Sequence, residues 1–158
     1  MLEIEHKFLV ADDSWRQFAS RSVHVVQGYF THGGGEYSLR VRIVEDREAK
    51  LSIKSQGTGL SRSEYEYPIP LEDARAMFRE FCGTRIIDKR RFYIEAAPFL
   101  WEIDEFGGAN AGLVLAEIEI PSEDAEFVKP SWLGREVTGD IRYLNETLAF
   151  RPWSASQA

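Results

Sequence analysis

Like-charged side chains recur two residues apart along this chain: Glu3 with Glu5, Arg40 with Arg42, Glu102 with Asp104, and Glu117 with Glu119. In an extended strand, positions i and i+2 share a face, so each pair crowds like charge onto one side of the backbone. Such crowding is destabilising unless a counter-ion lies between the groups. Paired carboxylates suit a hard cation such as Mg2+ or Mn2+, commonly held by one or two carboxylates together with substrate phosphates. Paired arginines and lysines suit phosphate, because guanidinium is a planar fork that meets two phosphate oxygens at once. Together these residue types could carry out metal-assisted chemistry on a small polyanion.

The elements that must position them read mainly as strands. Period-two alternation runs over residues 2–9, 23–31, 36–44, 49–55, 62–68, 84–95, 99–105 and 113–120. Strand by strand, one face collects Glu3, Glu5 and Lys7; Arg40 and Arg42; Ser52 and Lys54; Arg62, Glu64 and Glu66; Arg85, Lys89 and Arg91; Glu102 and Asp104; Glu117 and Glu119. The opposite faces carry Ile4, Phe8, Leu39, Val41, Leu51, Ile53, Trp101, Ile103, Ile118 and Ile120. For a single strand this is the ordinary pattern of a sheet with its charged side in solvent. Repetition of a charged face over seven strands, several of them with same-sign pairs, points instead to a shared charged interior. Eight strands with mostly short turns predict an antiparallel barrel in a mainly β chain with a few helices packed outside. The helices are expected over 71–82, 12–20 and 142–150, with a further one capped by Ser122.

The chain has 158 residues, one cysteine and a net charge of −7, with neither an internal repeat nor a low-complexity tract. One unit over 1–153 with a flexible tail at 154–158 accounts for this length. No apolar run approaches a membrane span, and no leader pattern precedes the charged start, so the expected location is the cytoplasm. An acidic chain is a poor partner for nucleic acid or a membrane, but a locally basic cleft can still hold a small anion. Either a monomer or a homodimer fits. His24 and His32 read as surface residues, Cys82 as a small buried hydrophobe, and Gly33-Gly34-Gly35 as a hairpin turn rather than a phosphate loop.

Several motifs follow one another in order: Glu3-Ile-Glu-His-Lys7, Gln27-Gly28-Tyr29, Leu39-Arg40-Val41-Arg42, Ser52-Ile53-Lys54, Arg62-Ser63-Glu64-Tyr65-Glu66, Lys89-Arg90-Arg91-Phe92, Trp101-Glu102-Ile103-Asp104, Ala116-Glu117-Ile118-Glu119 and Asp140-Ile141-Arg142-Tyr143-Leu144-Asn145. Over residues 2–150 the chain resembles the CYTH superfamily, the triphosphate tunnel metalloenzymes. The resemblance implies an eight-stranded tunnel that hydrolyses or cyclises triphosphates with Mg2+ or Mn2+. It implies metal ligation by Glu3, Glu5, Glu117 and Glu119 with Glu102 and Asp104 nearby, and a phosphate cradle of Lys7, Arg40, Arg42, Lys54, Lys89, Arg91 and Arg142. Phe92 departs from the tyrosine usual in that family. For proton transfer, Lys54, Lys89, Glu64 and Glu66 all stay open. The leading expectation is hydrolysis of inorganic tripolyphosphate. The alternatives are a class IV adenylate cyclase, a thiamine or nucleoside triphosphatase, or a non-catalytic module that binds polyphosphate or a nucleotide.

Overall fold

The computed structural model describes residues 2–56 and 60–154. Among them nine strands and two α-helices run in the order β1 (Leu2–Val10), β2 (Arg21–Tyr29), β3 (Tyr37–Val44), β4 (Glu48–Ser55), β5 (Ser61–Ile69), α1 (Leu71–Met77), β6 (Ile86–Ala96), β7 (Phe99–Phe106), β8 (Val114–Glu119), β9 (Leu133–Glu136) and α2 (Asn145–Phe150). The expected tail at 154–158 lies, apart from Ser154, outside the described residues. Among the described residues no helix is long and apolar enough to cross a membrane.

The strands pair in the order β5-β4-β3-β2-β6-β7-β8-β1, and β1 returns to β5, which closes an eight-stranded antiparallel barrel. β1 performs this closure by changing partners along its length. Leu2, Glu3 and Ile4 pair with Ser63, Arg62 and Ser61 of β5, while Glu5 to Leu9 pair with β8. Where β5 leaves, β9 pairs with β1 at Phe8 and Val10. This ninth strand is a departure from the sequence reading; Leu133-Gly-Arg-Glu136 is too short and irregular to show alternation. Gly134 permits the approach, because a Cβ there would stand 2.9 Å from the Leu9 carbonyl oxygen.

Apolar side chains make three layers. Outside the barrel, Ile4, Phe8, Trp101, Ile103, Ala116 and Ile118 pack with Trp15 from the short 3-10 helix Ser14–Phe18 and with Trp132 from the turn before β9. Also outside, Val41, Ile43 and Ala49 are covered by α1 and by the wide turn Phe78–Cys82 that continues it. Cys82 is buried there, as expected. The third layer lies within. Tyr29, Ile87, Phe106, Leu113 and Leu115, which share parity with the inward charges, pack on Tyr143, Leu148 and Ala149. The closing helix α2 therefore sits across one end of the barrel rather than on its flank, a correction to the expectation of helices outside. Its Asn145 and Glu146 face the charged interior. Thr31 Oγ1 and Gly33 N both donate to Glu146, which ties the β2–β3 turn to this plug. The segment after Ser122 forms a turn instead of a helix.

Because Gly134 faces backbone, which cannot rotate aside as a side chain can, Gly134→Ala should destabilise the fold by about 1–3 kcal/mol. Thermal unfolding of the variant checks this; an unchanged midpoint would mean that β9 is not held against β1.

Candidate active site

β1 turns Glu3, Glu5 and Lys7 inward, β7 turns Glu102 and Asp104, and β8 turns Glu117 and Glu119. The antiparallel register sets Glu5 directly across from Glu119, Lys7 across from Glu117, and Glu117 across from Glu102 on its other side. Two carboxylate pairs thus stand opposite one another on one inner face, an arrangement that repels unless positive charge intervenes. The facing wall is basic: Arg40 and Arg42 from β3, Lys54 from β4, Arg62 from β5, and Lys89 and Arg91 from β6. Both walls line one cavity of about 550 Å³. Glu64, Glu66, Tyr29, Ser38, Ser52, Asn145 and Glu146 also line it, with Leu2, Tyr65, Tyr67 and Leu144.

Of the residues that the sequence assigns to the site, Asp104 and Arg142 do not line the cavity. Asp104 is fully buried behind the wall. Its carboxylate accepts from Arg91 Nε (2.7 Å), Arg91 Nη2 (2.8 Å) and Lys89 Nζ (2.7 Å). Both oxygens are taken by bases, so in this arrangement Asp104 anchors Lys89 and Arg91 from behind the wall. Arg142 lies in the short turn Ile141–Tyr143, exposed, with its guanidinium on Asp140 at 2.6 Å. The buried member of that turn is Tyr143, whose carbonyl accepts from Lys7 Nζ at 3.3 Å. The turn has room for one inward side chain, and the apolar plug takes it. Arg85, grouped with Lys89 and Arg91 by parity, precedes β6 and donates to the Tyr29 and Phe81 carbonyls instead.

The bases are held from behind. Gln27 Oε1 accepts from Arg42 Nε at 2.7 Å, and Gln27 Nε2 donates to the Tyr29 hydroxyl at 3.1 Å. Arg40 Nη2 donates to Glu64 at 3.2 Å, while its buried Nε has no partner among the described residues. Lys54 Nζ stands 2.8 Å from Glu3 and 3.4 Å from Glu64, and Glu66 accepts from Ser52 Oγ at 3.0 Å. Gln27 and Tyr29 share the inward parity of their strand, a signal available in sequence. Asn145, whose Oδ1 accepts from Lys89 Nζ at 3.1 Å, gives no such signal.

Burial and crowding leave both walls unsatisfied. Desolvation, and then the neighbouring Glu117, raise the Glu5 carboxyl above its ordinary range. Glu119 is raised by desolvation and by Glu3, Glu5, Glu102 and Glu64. On the basic side, desolvation with Arg40 and Arg91 pushes Arg42 down to about 10. Lys89 is pushed down to about 7, chiefly by enclosure, although Asp104 pulls the other way. Glu117 is the exception: desolvation would raise it, but Lys7 and Arg91 outweigh that and hold it far below the ordinary carboxylate range. Among the described residues no three acids or histidines form a closed metal set. The lumen bases draw the carboxylates apart, Lys7 and Arg91 taking Glu117 at 3.2 and 3.5 Å and Arg91 also contacting Glu102.

Comparisons with known proteins agree with this geometry. The CYTH domain model matches residues 1–151. An inorganic triphosphatase of Acetivibrio thermocellus is 46% identical over 151 residues, covering 96% of this chain and 95% of that protein. An inorganic triphosphatase of Nitrosomonas europaea is 39% identical over 155 residues, covering 94% and 97%. The solved structure of the inorganic triphosphatase NE1496 aligns with a TM-score of 0.67 at 35% identity over 93% of both chains.

The anchoring of Lys89 and Arg91 has a pH signature. Burial alone would raise Asp104, but Arg91 and Lys89 hold it below its ordinary value. A depressed carboxyl contributes stability above its unfolded pKa, about 4, and loses it as pH falls through the lower folded value. Asp104→Asn should cost about 3–5 kcal/mol near neutral pH, since it strands the buried Arg91 guanidinium. It should also flatten the loss of stability below about pH 4. Urea unfolding at several pH values measures both; equal acid sensitivity in variant and parent would refute the assignment.

Proposed function

The chain belongs to the CYTH domain family, and from that premise we propose that its cavity hydrolyses a phosphoanhydride bond of a linear triphosphate, inorganic tripolyphosphate first. The observation that carries this reading is the register that sets Glu5 against Glu119 and Glu102 against Glu117 across from a wall of arginine and lysine. A polyanion alone would satisfy the bases and worsen the acids; a divalent cation alone would do the reverse. A metal–polyphosphate pair meets both needs.

The oxygen-only donor set fits Mg2+ or Mn2+. Glu3, Glu5, Glu117 and Glu119 would hold the ion, with Glu102 beside them. When bound, such a cation neutralises phosphate oxygens and activates water. The rest is done by side chains of this chain. Arg40, Arg42, Lys54, Lys89 and Arg91 hold the phosphates in line, so that binding energy orients the scissile bond. Lys7 releases Glu117 as the polyanion takes over its charge. The unpartnered Arg40 Nε supplies a donor for a phosphate oxygen. Attack by water on a terminal phosphorus breaks the bond to its bridging oxygen and releases phosphate and pyrophosphate. Of the four proton-transfer candidates, the adjacent Lys54 and Glu64 face the acidic wall, and we assign proton removal from the water to this pair. Lys89 is enclosed by Asp104 and Asn145, and Glu66 is turned to Ser52. The unit over 1–153 works as a whole, because β1 and α2 both contribute lining. The cytoplasm suits its single buried thiol.

Phosphate release from tripolyphosphate should require Mg2+ or Mn2+, stop with EDTA, and exceed release from ATP or thiamine triphosphate. Pyrophosphate with cyclic AMP from ATP would make the chain a cyclase instead, and tight binding without turnover a non-catalytic module. Glu117→Gln should cut turnover by more than about 100-fold, since even outer partners of metal ligands are worth about 10–100-fold. Arg40→Ala should raise KM and lower kcat together, whereas Arg142→Ala should change neither. An unchanged KM in the Arg40 variant removes that residue from the cradle.

A further inference from the structure

β5 runs past the first residues of β1, and α1 covers only part of the adjacent outer sheet. The outward positions of β3, β4 and β5 are Tyr37, Leu39, Val41 and Ile43; Ala49, Leu51, Ile53 and Ser55; Ser61, Ser63, Tyr65, Tyr67 and Ile69. None of them is charged, although charged residues make up 28% of the chain. α1 and its continuing turn pack on Val41, Ile43, Ala49, Leu51 and Ile69. The other half stays open: Tyr37 is 52% exposed, Ile53 40%, Tyr65 54% and Tyr67 57%. Ile53 pairs directly with Tyr65, and Leu51 with Tyr67. Leu2, 61% exposed, pairs with Ser63 beside Tyr65 and extends the patch onto β1. These five are half of the large apolar side chains left exposed among the described residues.

We propose that this neutral, tyrosine-rich face is the contact between two copies of the chain in a twofold homodimer. This goes beyond the catalytic reading and does not depend on it. Two observations select a second copy as the occupant. The first is area. Five side chains, each about half exposed, hide about 100 Å² apiece and so about 500 Å² a side. That is roughly 1,000 Å² in total, the size at which an interface becomes specific. The second is charge. A partner recognised through charge would meet none here, whereas two copies carrying −7 each can approach closely only through a face that adds no repulsion. Pro68 near the end of β5 disfavours an added strand there, so the contact uses the face rather than the strand edge. Because Leu2, Tyr65 and Tyr67 also border the cavity, the dimer would place its two cavity mouths near the shared contact.

The test is the mass of the protein in solution, by sedimentation equilibrium at about 1–100 µM, a range suited to a micromolar interface. It is repeated in low and high salt and compared with Tyr37→Glu/Ile53→Glu and Tyr37→Ser/Ile53→Thr, neither position lining the cavity. Circular dichroism and unfolding midpoints establish that each variant is folded; the milder pair decides the matter if the charged pair does not fold. The expected result is a parent dimer that high salt leaves intact, with at least a tenfold weaker dimer in a folded variant. A monomeric parent across the range overturns the proposal. So does a dimer that high salt dissociates, or one that folded variants retain. Mass is read without turnover, so this outcome stays separate from that of the phosphate-release assay.

Discussion

Charge enclosed inside a barrel must be neutralised where it stands. A buried carboxylate or ammonium left alone is costly by several kcal/mol, and even a pair is favourable only when its remaining hydrogen-bonding groups are met. Asp104 is the deepest expression of that constraint. It sits behind the wall, accepts from Lys89 once and from Arg91 twice, and so fixes two bases whose tips face the cavity. Gln27 does the same for Arg42 with an uncharged amide, which leaves the positive charge of that guanidinium available to a ligand.

The same constraint divides the barrel along its axis. Toward one end the inward positions are charged. Toward the other they become Leu9, Tyr29, Ile87, Phe106, Leu113 and Leu115, and α2 with Tyr143 packs on them. The apolar plug closes the barrel at that end. It also supplies the polar groups at the floor, where Asn145 meets Lys89 and the Tyr143 carbonyl meets Lys7. Burial of the plug and placement of the floor are thus one packing event.

β1 joins the two halves of the design. It closes the barrel against β5, carries Glu3, Glu5 and Lys7 into the cavity, and pairs with β8 so that acids meet acids. Its register cannot slip by one residue without turning every one of those groups outward. The closing strand thus also supplies part of the acidic wall, Glu3 and Glu5, opposite the acids of β8.

The alternation of residue types determined the strands and their inward faces. All eight barrel strands, the charged side of seven of them and the two-walled interior follow from period two, because a side chain on a strand has only two directions to choose from. Thirteen of the fifteen residues assigned to the site line the cavity. Tertiary structure alone decided the rest, and the reason is distance. Which acids stand opposite one another depends on pairings between strands far apart in the chain, as with Glu5 and Glu119. Asp104 shares its parity with Glu102, but lies one step nearer the plug, where Lys89 and Arg91 enclose it. Arg142 stands outside because Tyr143 claims the inward position of its turn. β9 exists because β1 has an edge left open beyond β5. None of these is a property of any local stretch of sequence; each is set by what another part of the chain brings alongside.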